Sequence, residues 1–202
     1  LMPVETFGVD AAILYADIML PLEGMGLELE IRQEGPSIAN PIRTSQDVDA
    51  LQVVDTEETA SYVMEATRMV HRELEGKKAL IGFSGAPFTL ACYMIEGHPS
   101  RDFATAKAFM YEQPQLWHIL MTKITSVVTN YLLAQIKAGA DVVQLFDSWV
   151  GTLSPSTYRQ FVQPYMQRIF EAIWRSETPS IHFGTGTASL LDVITEAGGD
   201  II

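Results

Sequence analysis

Cysteine is almost missing from this chain, and Cys92 is the only one among 202 residues. An intramolecular disulfide is therefore impossible, and a reducing, cytoplasmic setting is the natural reading. Basic residues are also scarce. Thirteen Lys and Arg stand against 25 Asp and Glu, a formal net charge of −12. Nucleic acid is an unsuitable partner, because phosphate binding needs a basic face. No basic–apolar–small signal pattern opens the chain, and no apolar run reads as long enough to span a membrane. No G-x-G-x-x-G joins a strand to a helix, so the dinucleotide-binding fingerprint is missing. Internal repeats and low-complexity tracts are absent too.

What the sequence has is apolar material. Hydrophobic residues make up 48% and charged residues 19%, enough for a sizeable core and contrary to disorder. Residues 1–202 read as a single domain. Apolar runs alternate with amphipathic stretches. Residues 11–18, 79–83, 141–146, 180–183 and the last few positions read as buried strands. Leu27, Leu29 and Ile31 alternate with charged residues and read as a half-exposed strand. Gly35-Pro36 and Asn40-Pro41 then mark an irregular excursion. Asp55-Thr56-Glu57-Glu58 fits a capping box opening a helix with Tyr62, Val63, Ala66, Met69, Val70 and Leu74 on its apolar stripe. Shorter helices are expected over 89–96, 101–111 and 189–197. Pro114 opens a long helix that ends at Gly139, and Ser154-Pro155 reads as an N-cap with proline at the first helical position. This pattern implies an α/β fold whose parallel sheet is covered by helices. A doubly wound sheet and a (β/α)8 barrel both satisfy it, with periodicity mildly favouring the barrel.

Polar residues gather where these strands end. Asp17 ends the first, Ser84 the second, and Asp147 and Ser148 the third, while His182 sits in the fourth. Ligands meet both parallel architectures at the strand C-termini. Each such residue can equally be a turn or helix cap, the commoner role of Asp and Ser. Asp17 stands alone among apolar neighbours, where a buried charge is costly unless donors or a cation meet it. Of the histidines, His71 reads as solvent-exposed and His98 and His118 as ordinary, leaving His182 as the one worth testing.

Three ordered segments resemble the uroporphyrinogen decarboxylase family. Asp10-Ala11-Ala12-Ile13-Leu14-Tyr15-Ala16-Asp17-Ile18 is similar to the stretch that holds the family's central aspartate. Gly82-Phe83-Ser84-Gly85-Ala86-Pro87-Phe88-Thr89-Leu90, followed by Tyr93-Met94-Ile95-Glu96-Gly97, resembles its GF-x-GAP-x-TL and Y-M-x-E-G motifs. Gln144-Leu145-Phe146-Asp147-Ser148 with Gly151 resembles its Q-x-F-[DE]-S-x-x-G. The resemblance extends over essentially the whole chain. It implies a (β/α)8 TIM-type barrel, present as a central portion of about five strands. The family's first strand, with its arginine-rich motif, and its last two strands would lie outside residues 1–202. The segment alone is then expected to be inactive.

The resemblance also implies an activity: cofactor-free removal of the four acetate carboxyl groups of uroporphyrinogen III, giving coproporphyrinogen III for haem synthesis. Asp17 matches the carboxylate that binds the pyrrole N–H groups, Tyr93 the active-site tyrosine, and Ser148 the serine that meets a substrate carboxylate. Ile13, Tyr15 and Phe146 are expected to wall the cleft, with plain core packing an even alternative. No metal, nucleic acid or membrane partner is implied, and the complete enzyme is expected to be a homodimer. Corrinoid-dependent methyltransferases of the same fold hold zinc through His-x-Cys and a later cysteine. Here the triplet is His182-Phe183-Gly184, which disfavours that reading. A non-catalytic tetrapyrrole-binding barrel is the remaining alternative.

Overall fold

The computed structural model describes residues 1–14, 16–32 and 35–202. Along the chain come α1 (Met2–Phe7), β1 (Ala11–Ile13), α2 (Leu20–Glu23), β2 (Leu29–Arg32), β3 (Gly35–Ile38), α3 (Ser45–Ala50), α4 (Thr56–Thr59) and α5 (Ser61–Leu74). The second half holds β4 (Ala79–Gly85), α6 (Pro87–Glu96), α7 (Ala104–Glu112), α8 (Pro114–Lys137), β5 (Val142–Asp147), α9 (Pro155–Phe161), α10 (Gln163–Trp174), β6 (Ser180–Gly184) and α11 (Leu191–Ala197).

Strands β1, β4, β5 and β6 form one parallel sheet in that order. A parallel bridge from Ile181 to Ile201 continues it by one position. Chain order and spatial order agree, as in successive strands of a (β/α)8 barrel and unlike the reversal of a doubly wound sheet. The expected fifth strand is present only as that bridge.

Alternation divides the sheet into two faces. Val143, Leu145 and Asp147 of β5 are buried, as are Ser180 and His182 of β6, and this face packs on the helices. Val142, Gln144 and Phe146 point the other way and are half-buried, which makes theirs the barrel-interior face. Register places Ile13, Ile81 and Val142 in one row of that face, and Gly85, Phe146 and Phe183 in another. Phe146 packs between Phe83 and Phe183, with ring centroids 5.6 and 5.2 Å away.

The helix layer is built on α8, whose Trp117, Leu120, Met121, Ile124, Val127, Val128 and Leu132 are all buried. By length and composition alone α8 could cross a membrane, contrary to the expectation that no run could. Here it is a core helix under the sheet. Its Gln135 amide spans both backbone groups of Phe83, accepting from the N–H and donating to the C=O at 2.9 Å each. Gly82 makes this possible, because a Cβ there would lie 2.8 Å from the Gln135 oxygen.

Several local expectations need correction. The first strand stops at Ile13 instead of running to residue 18, and it is not buried. The chain turns at 17–19, where Asp17 Oδ1 accepts the Met19 N–H at 2.8 Å, and Pro21 sits in the first turn of α2. The excursion after residue 32 contains β3, antiparallel to β2 with Pro36 opposite Ile31. A two-stranded ribbon consists only of edges, so a proline without N–H is tolerated there. The capping box lies at Thr44 and Asp47, while Asp55 caps α4 through the Glu57 N–H alone. Tyr62 and Met69 are exposed, and α5 buries Val63, Met64, Thr67 and Leu74.

Candidate active site

Backbone and hydroxyl bonds tie together the loops that leave the strand C-termini. Gly85 N–H donates to Ile18 O at 3.1 Å, joining the end of β4 to the Asp17 turn. Ala86 N–H donates to Phe146 O at 2.9 Å, joining the same loop to β5. The Thr185 hydroxyl donates to Ser148 O, joining β5 to β6. Two motif glycines permit these approaches. A Cβ on Gly85 would lie 2.6 Å from Leu90, and one on Gly151 would overlap the Thr185 carbonyl.

Asp17 is exposed, which corrects the expectation of a buried lone carboxylate. Tyr93 projects from the second turn of α6 and is 8% exposed. Burial raises its phenol, the Trp149 indole pulls it partly back, and the Asp17 carboxylate pushes it further up. The Asp17 charge therefore reaches the Tyr93 hydroxyl. The Trp149 N–H is close enough to act on that hydroxyl but does not meet it in a formed hydrogen bond. Ring centroids of Tyr93 and Trp149 are 6.0 Å apart, edge to face. Ser148 precedes Trp149 directly and is half-buried. Asp17, Tyr93 and Ser148 thus all belong to the loops and helix at one end of the sheet. Phe146 and Ile13 share the interior face, where Ile13 is 48% exposed. Tyr15 lies outside the described residues.

His182 is on the opposite face. It is buried against Phe170 at 5.1 Å, and burial holds its imidazole down at about 4. It is a neutral core residue, separated from the cleft by the sheet.

Asp147 carries a signal that sequence reasoning missed. It is fully buried on the helix-facing side. Thr89 donates its hydroxyl to Asp147 Oδ1 at 3.0 Å, while Oδ2 has no partner among the described residues. Burial lifts the carboxyl to about 7, with the Thr89 hydroxyl and N–H pulling back. Motif membership was the available clue, but an Asp at a strand end reads first as a cap.

A pH dependence of stability follows. The ordinary carboxyl value is 3.8, so between about 4 and 7 the folded chain holds a proton that the unfolded chain has released. The contribution of Asp147 therefore falls as pH rises through that window and levels off above it, while His182, held down at about 4 against an ordinary 6.5, contributes the opposite slope between those values. Asp147→Asn keeps an acceptor for Thr89 and removes the titration. In thermal melts from pH 4.5 to 8 the variant should gain stability relative to the native chain as pH rises to about 7, and the difference should then level off; a difference that does not change with pH would remove Asp147 from the titration.

Comparison with known proteins agrees with these motifs. The family model for uroporphyrinogen decarboxylase matches residues 1–202. Proteins named uroporphyrinogen decarboxylase from Thermus thermophilus and Carboxydothermus hydrogenoformans are each 51% identical over 203 residues, covering 100% of this chain. One from a Geobacter species is 49% identical over 200 residues. The chain spans 59%, 58% and 59% of these three relatives' lengths. A solved methyltransferase from Methanosarcina mazei superposes with a TM-score of 0.80 at 20% identity, over 98% of this chain and 58% of that one, a likeness of fold. With the family model matched from the first residue to the last and half of all positions shared with these relatives, the chain belongs to the uroporphyrinogen decarboxylase family.

Proposed function

We propose that this chain supplies the central part of a uroporphyrinogen decarboxylase, a single barrel domain that the enzyme's first and last strands complete. The family match over residues 1–202 carries this reading. The grouping of Asp17, Tyr93 and Ser148 at the strand C-terminal end supports it. The reaction converts each ring acetate to methyl with loss of CO2. A proton adds to the pyrrole carbon beside the acetate and makes the ring cationic. The C–C bond to the carboxylate then breaks, and its electron pair flows into the ring. Protonation of the resulting exocyclic methylene and loss of the ring proton restore the pyrrole. The pyrrole is its own electron sink, so no cofactor is required.

In this reading Asp17 accepts the pyrrole N–H groups and stabilises the cationic ring. Tyr93 and Ser148 hold the reacting acetate by hydrogen bonds. The Tyr93 phenol, raised further by burial, is available there as a donor. Ile13 and Phe146 supply apolar wall. With a surplus of acidic residues overall, the groups that receive the substrate's other carboxylates are local clusters of basic residues or lie outside this segment. The enzyme works in the cytoplasm as a homodimer, without nucleic acid or membrane. A zinc-dependent methyl transfer fits poorly, since glycine stands at 184, His182 faces away from the cleft, and Cys92 is buried in α6.

The test is anaerobic conversion of uroporphyrinogen to coproporphyrinogen by the chain extended to its relatives' length. Four-fold decarboxylation supports the reading; a folded extended enzyme that binds uroporphyrinogen without converting it refutes it. In the same assay Ser148→Ala should cost about 1–3 kcal/mol of transition-state stabilisation, the worth of one hydrogen bond to a charged group. An unchanged kcat/KM would remove Ser148 from the site.

A further inference from the structure

Two residues of the family motifs take no part in the chemistry above, although both are completely buried beside it: Thr89 and Asp147. The Thr89 hydroxyl makes two bonds at once. It donates to Asp147 Oδ1 at 3.0 Å and accepts the Trp149 N–H at 3.2 Å. These partners flank Ser148 on either side. One hydroxyl therefore grips the turn that presents Ser148 from both ends.

The same hydroxyl belongs to the helix that presents Tyr93. Thr89 lies in the first turn of α6, four residues before Tyr93, on the same side of the helix. Ala86, at the N-cap, offers no side-chain bond to the helix start. Its N–H is instead given to Phe146 O. The start of α6 is thus fastened to the end of β5 by three hydrogen bonds over residues 86–89 and 146–149. The Trp149 ring closes the circuit against Tyr93 itself.

We propose that Thr89 is a positioning residue for decarboxylation: its hydroxyl, shared between Asp147 and the Trp149 amide, sets Tyr93 in register with Ser148. The proposal rests on the reading of Tyr93 and Ser148 as substrate-holding groups. Thr89 touches no substrate and acts through those two side chains. Small displacements of such groups are costly, because the reaction depends on how the acetate is held.

The experiment compares Thr89→Val, which keeps the shape but neither donates nor accepts, with Thr89→Ser, which keeps the hydroxyl. Both are made in the extended enzyme, alone and with Tyr93→Phe. The valine variant should lose about tenfold or more in kcat/KM, and the serine variant should recover most of it. In the Tyr93→Phe background the valine effect should shrink to the part that acts through Ser148, since residues acting as a unit are not additive. A purely structural Thr89 would lower thermal stability and multiply through unchanged in that background, overturning the proposal. Normal kinetics for Thr89→Val would also overturn it. Thr89→Ala carries the same readout if the valine variant does not fold, and failure of both to fold would assign Thr89 to the core alone. Wild-type enzyme without decarboxylase activity is a separate outcome, which sinks the decarboxylase reading itself.

Discussion

Asp17→Asn in the extended enzyme should lower turnover by about 10²–10³-fold while changing substrate affinity only a few-fold. The substitution keeps the shape and the local fold. Asp17 Oδ1 accepts the Met19 N–H at 2.8 Å, and an asparagine oxygen can hold the same bond. What disappears is the negative charge. If that charge mainly stabilises the cationic ring, the loss falls on the chemical step, because the neutral substrate ring needs it less. Asp17→Glu should also be poor. Its longer arm abandons the Met19 N–H and pushes the carboxylate into the space meant for the macrocycle. Steady-state kcat and KM for the three enzymes decide the matter. Should Asp17→Asn keep near-normal turnover while Ser148→Ala abolishes it, the charge-stabilising role belongs elsewhere in the cleft.

The second large effect concerns stability. Trp117→Ala should cost about 3–5 kcal/mol, the usual range for emptying a large buried aromatic site. Trp117 is completely buried where α8 meets α6 and α9. Its ring lies 6.1 Å from that of Phe88, and its N–H donates to the Phe161 carbonyl at 3.0 Å. Truncation therefore opens a cavity and leaves a buried carbonyl unpaired. That carbonyl belongs to the last residue of α9, where the helix breaks before α10, so the loss should also loosen the α9–α10 junction. Trp117→Phe retains most of the packing and should cost clearly less. Denaturant unfolding measures both. Equal losses would assign the whole effect to the N–H bond.

The elements that were legible in the sequence share a strong local signal. Strands β4, β5 and β6 are short apolar runs bounded by glycine or polar residues, and α8 begins at a proline with a long stripe behind it. Ser154 caps α9 as its Ser-Pro pair implies, its Oγ accepting the Thr157 N–H. Where reading failed, a nonlocal or competing signal won. The run from Ala11 to Ile18 is apolar enough for a strand, but the Asp17 carboxylate captures the Met19 amide and turns the chain. Gly35 and Pro36 look like breakers, yet they pair in a ribbon that has room for them. In the site, family motifs pointed to Asp17, Tyr93 and Ser148, whereas Asp147 read only as a polar strand end and Thr89 only as a motif position. Their bond joins positions far apart in sequence, and no periodicity or spacing encodes it. His182 illustrates the converse. A histidine at a strand end reads as chemistry, and only the phase of the strand shows that it faces the helices.

The most direct measurement is a structure of the extended enzyme with coproporphyrinogen bound. The account predicts the macrocycle at the C-terminal end of β1, β4, β5 and β6, its pyrrole nitrogens converging within hydrogen-bond distance of the Asp17 carboxylate, with Tyr93 and Ser148 beside one ring edge. A macrocycle bound away from Asp17, with that carboxylate meeting only the Met19 amide, would contradict it.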